Sequence, residues 1–591
     1  MDIVVSFFFS PDYLRAGPGL SQCSAVQCSA VYNTVIATLR GSAIWDTFPC
    51  MKTKILALSL LFLVSCSGES GITSTPELAP APFDLLLTGG MLYSGDNIPP
   101  VRGDVGIIDN RIAAIGDLIG RESALTLDVS GLAVTPGFVD IHSHAVRDNR
   151  VDGIFRWPDA ENLIRQGVTS VVGGPDGNSP LPIISTFEAL ETVQVSVNYA
   201  TFVGHGSIRG LIVGEDDRPP SDEELEAMRD QVRLAMESGA FGLSSGLIYA
   251  PGRFAQTEEV IELAKVVAQY GGIYISHMRE EGLAVLESVA ETIRIGEEGG
   301  LPTQITHHKI VGAPMWGGSV ETLRLVDEAT ERGVDVSIDQ YPYTASSTSL
   351  TILFPGWSLD GGRDALLARM NDSAQRQRLK ADIVYNIEVD RGGDDPANVA
   401  IAQCPHDNTI NGLNLSEILR LQERGVSHEN AAELLMELVA AGNCSAVFHA
   451  INEEDVRNIM RHEKTMIASD GGIEGPSERV PHPRNYGTFA RVLGYYARDE
   501  GVLPVYTAIY KMTMQPADRI GLSDRGRLAV GAVADIAVLD LDAVIDRSTF
   551  EDPHQYAEGA HHVIVNGRPV LLNGEMTGAR PGIVLRSSDY R

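Results

Sequence analysis

Cysteine is scarce in this chain, with 6 in 591 residues, and Cys23, Cys28, Cys50 and Cys66 all fall near the start. Only Cys404 and Cys444 remain in the body, so a disulfide framework is not expected. Basic charge is short as well: 46 Lys and Arg stand against 78 Asp and Glu, for a net charge of -32. Cations must neutralise phosphates when a protein binds nucleic acid, so no nucleic-acid partner is expected, and the acidity reads as a solvated surface. The apolar run from Ile55 to Val64 is too short to span a bilayer comfortably. What the chain does have is length, enough for more than one unit or for one large barrel with additions.

Lys52 and Lys54 precede that apolar run, which ends in Leu63-Val64-Ser65-Cys66 and continues into Ser67-Gly68-Glu69-Ser70 without a basic stop-transfer flank. This layout predicts a secretory signal over 51–66. The tetrapeptide before Ser67 resembles the lipobox of bacterial lipoproteins, which implies that Cys66 becomes a lipidated N-terminus. The protein would then sit on the periplasmic side of a bacterial membrane, touching it through the lipid only, and Ser67 favours the outer membrane. An internal apolar helix with a chance cysteine is the alternative. Because a signal must come first to be read, Met51 is the expected start, and 1–50 is set aside as an upstream extension. Residues 67–82, with Pro76, Pro80 and Pro82, suit a tether.

Order is expected from Phe83. The stretches 83–90 and 104–112 read as short apolar strands with Gly, Asp and Asn turns, and 535–540 and 563–571 have the same character, the last around Asn566-Gly567. Between these β-rich ends, 83–135 and 519–591, the body at 136–518 alternates strand-like and helical patterns. Strand-like runs at 170–172, 242–244 and 273–276 are interleaved with helical patterns at 223–238, 258–269 and 283–298. Alternation of this kind predicts an α/β fold with a parallel sheet, and its length suits a (β/α)8 TIM-like barrel, with a doubly wound sheet left open. The charged stretch 361–398 reads as an insertion or lid.

Five segments put ligand-type side chains directly after strand-like runs: Asp140-Ile141-His142-Ser143-His144, Gly174-Pro175-Asp176, Ser276-His277, Thr306-His307 and Ser469-Asp470. The C-terminal strand ends of a barrel converge on one face, so residues distant in sequence can share an ion there. His142 and His144 project to the same side of an extended strand. Imidazoles with carboxylates suit Zn²⁺, one or two ions, or another divalent metal. Metal binding lowers the pKa of water towards about 7 and polarises a carbonyl, which is the chemistry of hydrolysis. Taken singly, each histidine also reads as a hydrogen-bonded core or surface residue, and His205, His449 and His462 are read that way.

The run Thr135-Pro136-Gly137-Phe138-Val139-Asp140-Ile141-His142-Ser143-His144 resembles the first metal motif of the amidohydrolase superfamily. Ser276-His277-Met278-Arg279, Thr306-His307-His308-Lys309, Asp339-Gln340-Tyr341-Pro342-Tyr343, Ala468-Ser469-Asp470-Gly471, His482-Pro483-Arg484 and the ending Thr577 to Gly582 narrow the resemblance to the D-aminoacylase group, in order from about Phe83 to the C-terminus. The resemblance implies a barrel carrying the metal site and a small β-sandwich built from both chain ends. It implies an enzyme that hydrolyses the amide of N-acyl-D-amino acids. His142, His144 and Asp470 would surround one metal position and His277 and His307 the other. Asp176 stands where much of the family has a bridging cysteine, a change from soft thiolate to carboxylate oxygen that leaves it to bridge, to bind one ion or to cap a turn.

Asp470 is the candidate general base. Lys309 is either a carboxylated bridging lysine or, as the resemblance implies, the ammonium that holds the substrate α-carboxylate. Tyr341 and Ser347 would assist it, with Tyr343 and Ser349 as register alternatives and Arg279 and Arg484 as further cations. A cyclic-amide hydrolase of the dihydroorotase or hydantoinase kind, and a metabolite-binding lipoprotein with an inactive site, are the competing readings. Oligomeric state is not legible.

Overall fold

The computed structural model describes residues 82–147 and 151–591. The expectations for 1–50, for the signal at 51–66 with Cys66 and for the tether, Pro82 apart, lie outside the described residues. Among the described residues, no helix is long and apolar enough to cross a membrane.

Segments from both ends of the described chain build one nine-stranded sheet. Phe83–Leu92 pairs antiparallel with Val101–Ile108 and parallel with Ser123–Asp128 and Ala133–Pro136. Ala133–Pro136 pairs in turn with Ile536–Leu539, which leads through Ala560–Val565 to Arg568–Leu572. Alternation along the strands puts Leu85, Leu87, Val105, Ile107, Ile536 and Val538 into one core. Each such burial contributes about 1.5–3 kcal/mol. The expected Asn-Gly turn is present, with φ of 49° at Asn566 and 77° at Gly567. A side chain at 567 would place its Cβ 2.1 Å from the Asp109 carbonyl oxygen, so glycine is required there twice over.

The middle of the chain lays down parallel strands in sequence. Phe138–Asp140, Val168–Gly173 and Asn198–Thr201 form one run. Val203–Gly204, Gly242–Gly246, Ile273–His277, Thr303–Ile305, Val336–Gln340 and Thr465–Ile467 form the next. Gly471–Gly472, just past the last strand, pairs with Ser143–His144, just past the first. The strands are buried at every position, and helices pack against them. Asp222–Glu237 is one such helix: Ser221 caps it in a reciprocal box with Glu224, and Met228, Val232, Ala235 and Met236 make its buried stripe.

The segment read as an insertion at 361–398 is mostly helical, as Gly362–Asn371 and Ser373–Val389. It packs with 399–448 around a separate core that includes Leu379, Ile383, Leu419, Leu434 and Phe448. A three-stranded antiparallel sheet of Ser346–Ser349, Ser445–Phe448 and Val399–Gln403 ties this region to the parallel array. One disulfide, Cys404–Cys444, joins the ends of two of those strands. That corrects the expectation drawn from cysteine scarcity: two cysteines 40 residues apart come to adjacent strand ends, and only the folded register brings them together.

Candidate metal centre and substrate cleft

The centre begins with a buried lock between the first and last parallel strands. Asp140 accepts hydrogen bonds from Ser469 N at 2.9 Å and Ser469 Oγ at 2.5 Å, and Asp470 N donates to the His142 carbonyl at 2.9 Å. Burial pushes Asp140 up to about 6 against the pull of those Ser469 bonds. The lock brings His142, His144 and Asp470 into one cluster. Nε2 of His144 and of His142 lie 3.1 and 3.4 Å from Asp470 Oδ1.

Asp176 reaches the same point from the turn after Val168–Gly173. Its Oδ1 is 3.4 Å from His142 Nε2, and its Oδ2 is 3.3 Å from His144 Nε2. Oδ1 also lies 3.2 Å from His307 Nε2 and 3.7 Å from His277 Nδ1. Asp176 therefore stands between two donor groups: His142, His144 and Asp470 on one side, His277 and His307 on the other. Asp176, His307 and Asp470 all have positive φ, at 53°, 35° and 49°. Non-glycine residues pay about 1–3 kcal/mol each for such backbone, and surrounding structure must hold them there.

Among the described residues, both ring nitrogens of His142 and of His277, together with His307 Nε2 and Asp176 Oδ1, are buried without a hydrogen-bond partner, and those facing Asp176 converge. Buried polar atoms are ordinarily satisfied, so a converging set of bare nitrogen and carboxylate donors fits a divalent cation. Burial pushes the Asp176 carboxyl up, but the facing His142 and His307 rings outweigh it and hold it well below the usual range. For Asp470 the same opposition is won by Arg484, His307 and His142.

A cleft of about 1400 Å³ opens over the centre. Lys309, Tyr341, Ser347 and Arg484 line it together with Asp176 and Asp470. Arg484 Nη1 donates to Asp470 Oδ2 at 2.6 Å, and its guanidinium lies 4.7 Å from the Tyr341 ring centroid. Lys309 Nζ lies 5.5 Å from the same ring, whose hydroxyl is buried without a partner among the described residues. Arg484 Nη2 also reaches the Ser347 carbonyl at 3.4 Å. Of the register alternatives, Tyr343 turns away to pack on His482, Phe550 and Arg491. Ser349 faces the cleft, but its hydroxyl caps Thr351 N and accepts from Asn443.

Arg279 does not join this set. Its guanidinium is taken by Glu291 at 2.8 Å and by the carbonyls of Arg253 and Ala255, which commits it to the neighbouring helix rather than the cleft. Reading the sequence also missed three residues behind the ligands. Asp339 Oδ1 accepts from His307 N at 2.7 Å and lies 3.6 Å from His142 Nδ1. Glu281 and Arg391 form a buried pair beside Lys309. Asp339 lay within a quoted motif, Glu281 is four residues past His277, and Arg391 carried no signal.

Comparison with known proteins agrees with this geometry. The amidohydrolase family model matches residues 125–571. A D-aminoacylase from Alcaligenes xylosoxydans xylosoxydans is 39% identical over 85% of this chain and 98% of its own length. An N-acyl-D-glutamate deacylase from the same organism is 37% identical over 85% and 96%. Among solved structures, a D-aminoacylase crystal structure superposes with a TM-score of 0.73 at 34% identity, covering 85% of this chain and all of that one. The N-acyl-D-glutamate deacylase of Bordetella bronchiseptica, complexed with zinc and a phosphonate mimic of the tetrahedral intermediate, gives 0.73 at 32% identity over 86% and 100%. This chain belongs to the amidohydrolase family, with the TIM-barrel-type α/β fold of its members.

Proposed function

We propose that the protein is a metal-dependent deacylase that hydrolyses the linear amide of N-acyl-D-amino acids, releasing a carboxylate and a D-amino acid. One observation carries it: Asp470 faces the donor cluster through Oδ1 while its Oδ2 is held by Arg484, which lines the cleft beside Lys309. Reacting centre and carboxylate-binding wall are thus joined through a single side chain. The D configuration comes from the relatives, which act on N-acyl-D-glutamate and N-acyl-D-aspartate as well as being D-aminoacylases.

His142, His144 and Asp470 would hold one divalent ion, His277 and His307 a second position, with Asp176 between them, and zinc suits the donors. The chemistry such an ion supplies is polarisation of the amide carbonyl and activation of water. Asp470, kept ionised by Arg484 and the imidazoles, takes the proton of the attacking water and passes it to the departing amine nitrogen. Lys309 and Arg484 pair with the substrate α-carboxylate, and the Tyr341 hydroxyl, which has no partner among the described residues, donates to it. Tyr341 is suited to that role because burial, opposed by Arg484, holds its phenol well above the usual range and so protonated.

The finer architecture goes with this reading: a (β/α)8 barrel at 136–518, and a small β-sandwich assembled from 83–135 and 519–591. Sequential parallel strands, and the pairing of segments past the first and last of them, support the barrel. Lipidation at Cys66 and attachment on the periplasmic side of a bacterial membrane are proposed from the sequence pattern alone.

The test sets N-acetyl-D-leucine, N-acetyl-L-leucine and a hydantoin ring side by side. Amine release from the D substrate, with little from the L form or the ring, is the expected result. Ring opening without amine release would move the assignment to a cyclic-amide hydrolase.

A further inference from the structure

Glu281 lies four residues beyond His277 and is fully buried, at 0% exposure. A carboxylate is placed so deeply only where cations compensate it, and Lys309 Nζ lies 2.6 Å from Oε1 while Arg391 Nη2 pairs with Oε2. Both histidines of the second donor group lie against this carboxylate, His307 within hydrogen-bond distance and His277 beyond it. His307 turns Nε2 to Asp176 Oδ1 at 3.2 Å and Nδ1 to Glu281 Oε1 at 3.2 Å. His277 does the reverse, with Nδ1 3.7 Å from Asp176 Oδ1 and Nε2 3.7 Å from Glu281 Oε2. The two rings cross at 80° with centroids 4.3 Å apart, so each is wedged between Asp176 in front and Glu281 behind.

An imidazole that gives one nitrogen to a metal carries its proton on the other, and that buried N–H needs an acceptor. We propose that Glu281 is a positioning residue of the metal centre, a carboxylate that fixes the orientation and tautomer of His307 and backs the ring of His277. This rests on the reading of the centre as a metal site. The consequence is specific: His307 turns Nδ1–H to Glu281 and leaves Nε2 for the ion. Glu281 also settles a competition, because Lys309 Nζ lies 2.7 Å from His307 Nδ1 and two donors cannot face each other. Oε1 accepts from both, leaving Lys309 anchored at the cleft wall. Arg391 comes from the insertion, just after Ser373–Val389, so the same carboxylate ties that region to the centre.

The experiment measures Zn²⁺ affinity of the full chain by chelator competition, for wild type, Glu281→Gln, Glu281→Asp and, as a control, Glu259→Gln. Glu259 is a buried carboxylate paired with Arg209 and His205 away from the donor cluster. Glu281→Gln should bind Zn²⁺ about 10–100-fold more weakly. Glu281→Asp should keep the charge beside Lys309 and Arg391 yet still weaken binding, because it no longer reaches the His307 ring. The control should lose thermal stability and retain affinity. A folded Glu281→Gln with wild-type affinity overturns the proposal. If that variant does not fold, wild-type affinity in Glu281→Asp overturns it instead. ¹⁵N-histidine spectra of zinc-loaded protein add a second readout: His307 ligated through Nε2 in wild type, with its Nδ1–H signal shifted in Glu281→Gln, supports the proposal, and an unshifted Nδ1–H overturns it. Failure of wild type to bind Zn²⁺ at all would instead overturn the metal reading beneath it.

Discussion

Replacing Asp470 with Asn removes the proton acceptor while leaving most of its scaffold in place. The backbone N of residue 470 still donates to the His142 carbonyl, and Ser469 still bonds Asp140. The amide oxygen of Asn can replace Oδ2 as acceptor for Arg484, though without the charge that balances a guanidinium only 6% exposed. Loss of a positioned general base costs about 10²–10⁴-fold in rate. At 1.36 kcal/mol per decade that is about 2.7–5.4 kcal/mol of barrier. The assay is steady-state amine release from an N-acetyl-D-amino acid, with bound metal and thermal melting measured on the same preparation. A folded, fully metallated Asp470→Asn with kcat within about tenfold of wild type would refute the role. Lost metal together with lost turnover would make Asp470 a ligand before it is a base.

Lys309→Met should lower kcat/KM by about 10–100-fold for substrates with a free α-carboxylate, the worth of one charge-assisted hydrogen bond, and should spare the corresponding methyl esters; equal loss on both would reject carboxylate binding. Converting Cys404 and Cys444 to Ser opens a bridge between residues 40 apart and should cost about 2–4 kcal/mol in urea unfolding; an unchanged midpoint would contradict the bond. His308 is buried with Nε2 2.8 Å from Thr322 Oγ1, and burial, reinforced by Lys309, pushes it from 6.5 down to about 3. The unfolded chain therefore binds a proton at His308 that the folded chain refuses, and stability falls as pH drops from 6.5 towards 3, by up to about 1.4 kcal/mol per unit from this group. His308→Gln should flatten that slope, and an identical pH dependence in both proteins would exclude the contribution.

The donor residues were legible because each follows an apolar strand-like run, where a polar ligand type has no packing reason to be. His142, His144, His277, His307 and Asp470 stood out on that ground, and the structure brings them within reach of one another through Asp176. Glu281 and Arg391 did not stand out, since one more Glu among 78 acidic residues, or an Arg after a charged helix, carries no local mark. Their meaning arises only when the insertion folds back over the centre. Arg279 misled for a related reason. It sits two residues after His277, just past the strand end, where the chain turns its guanidinium to Glu291 on the helix Val285–Gly299. The stretch 361–398 read as a charged insertion or lid because Ser373–Val389 buries only Leu379, Ile383 and Ile387, a narrow stripe under a dense cover of charge. Asp176 was visible as a candidate, but its place between both donor groups depends on a left-handed turn that no spacing reveals.

The most direct measurement is the rate of amine release from N-acetyl-D-methionine by protein beginning after Cys66, before chelation, after it, and after Zn²⁺ is returned. The expected result is loss of activity with the metal and its recovery with Zn²⁺, and no comparable release from N-acetyl-L-methionine at any stage. Undiminished activity in protein stripped of all divalent metal, or equal release from both enantiomers, would contradict metal-dependent, D-selective deacylation.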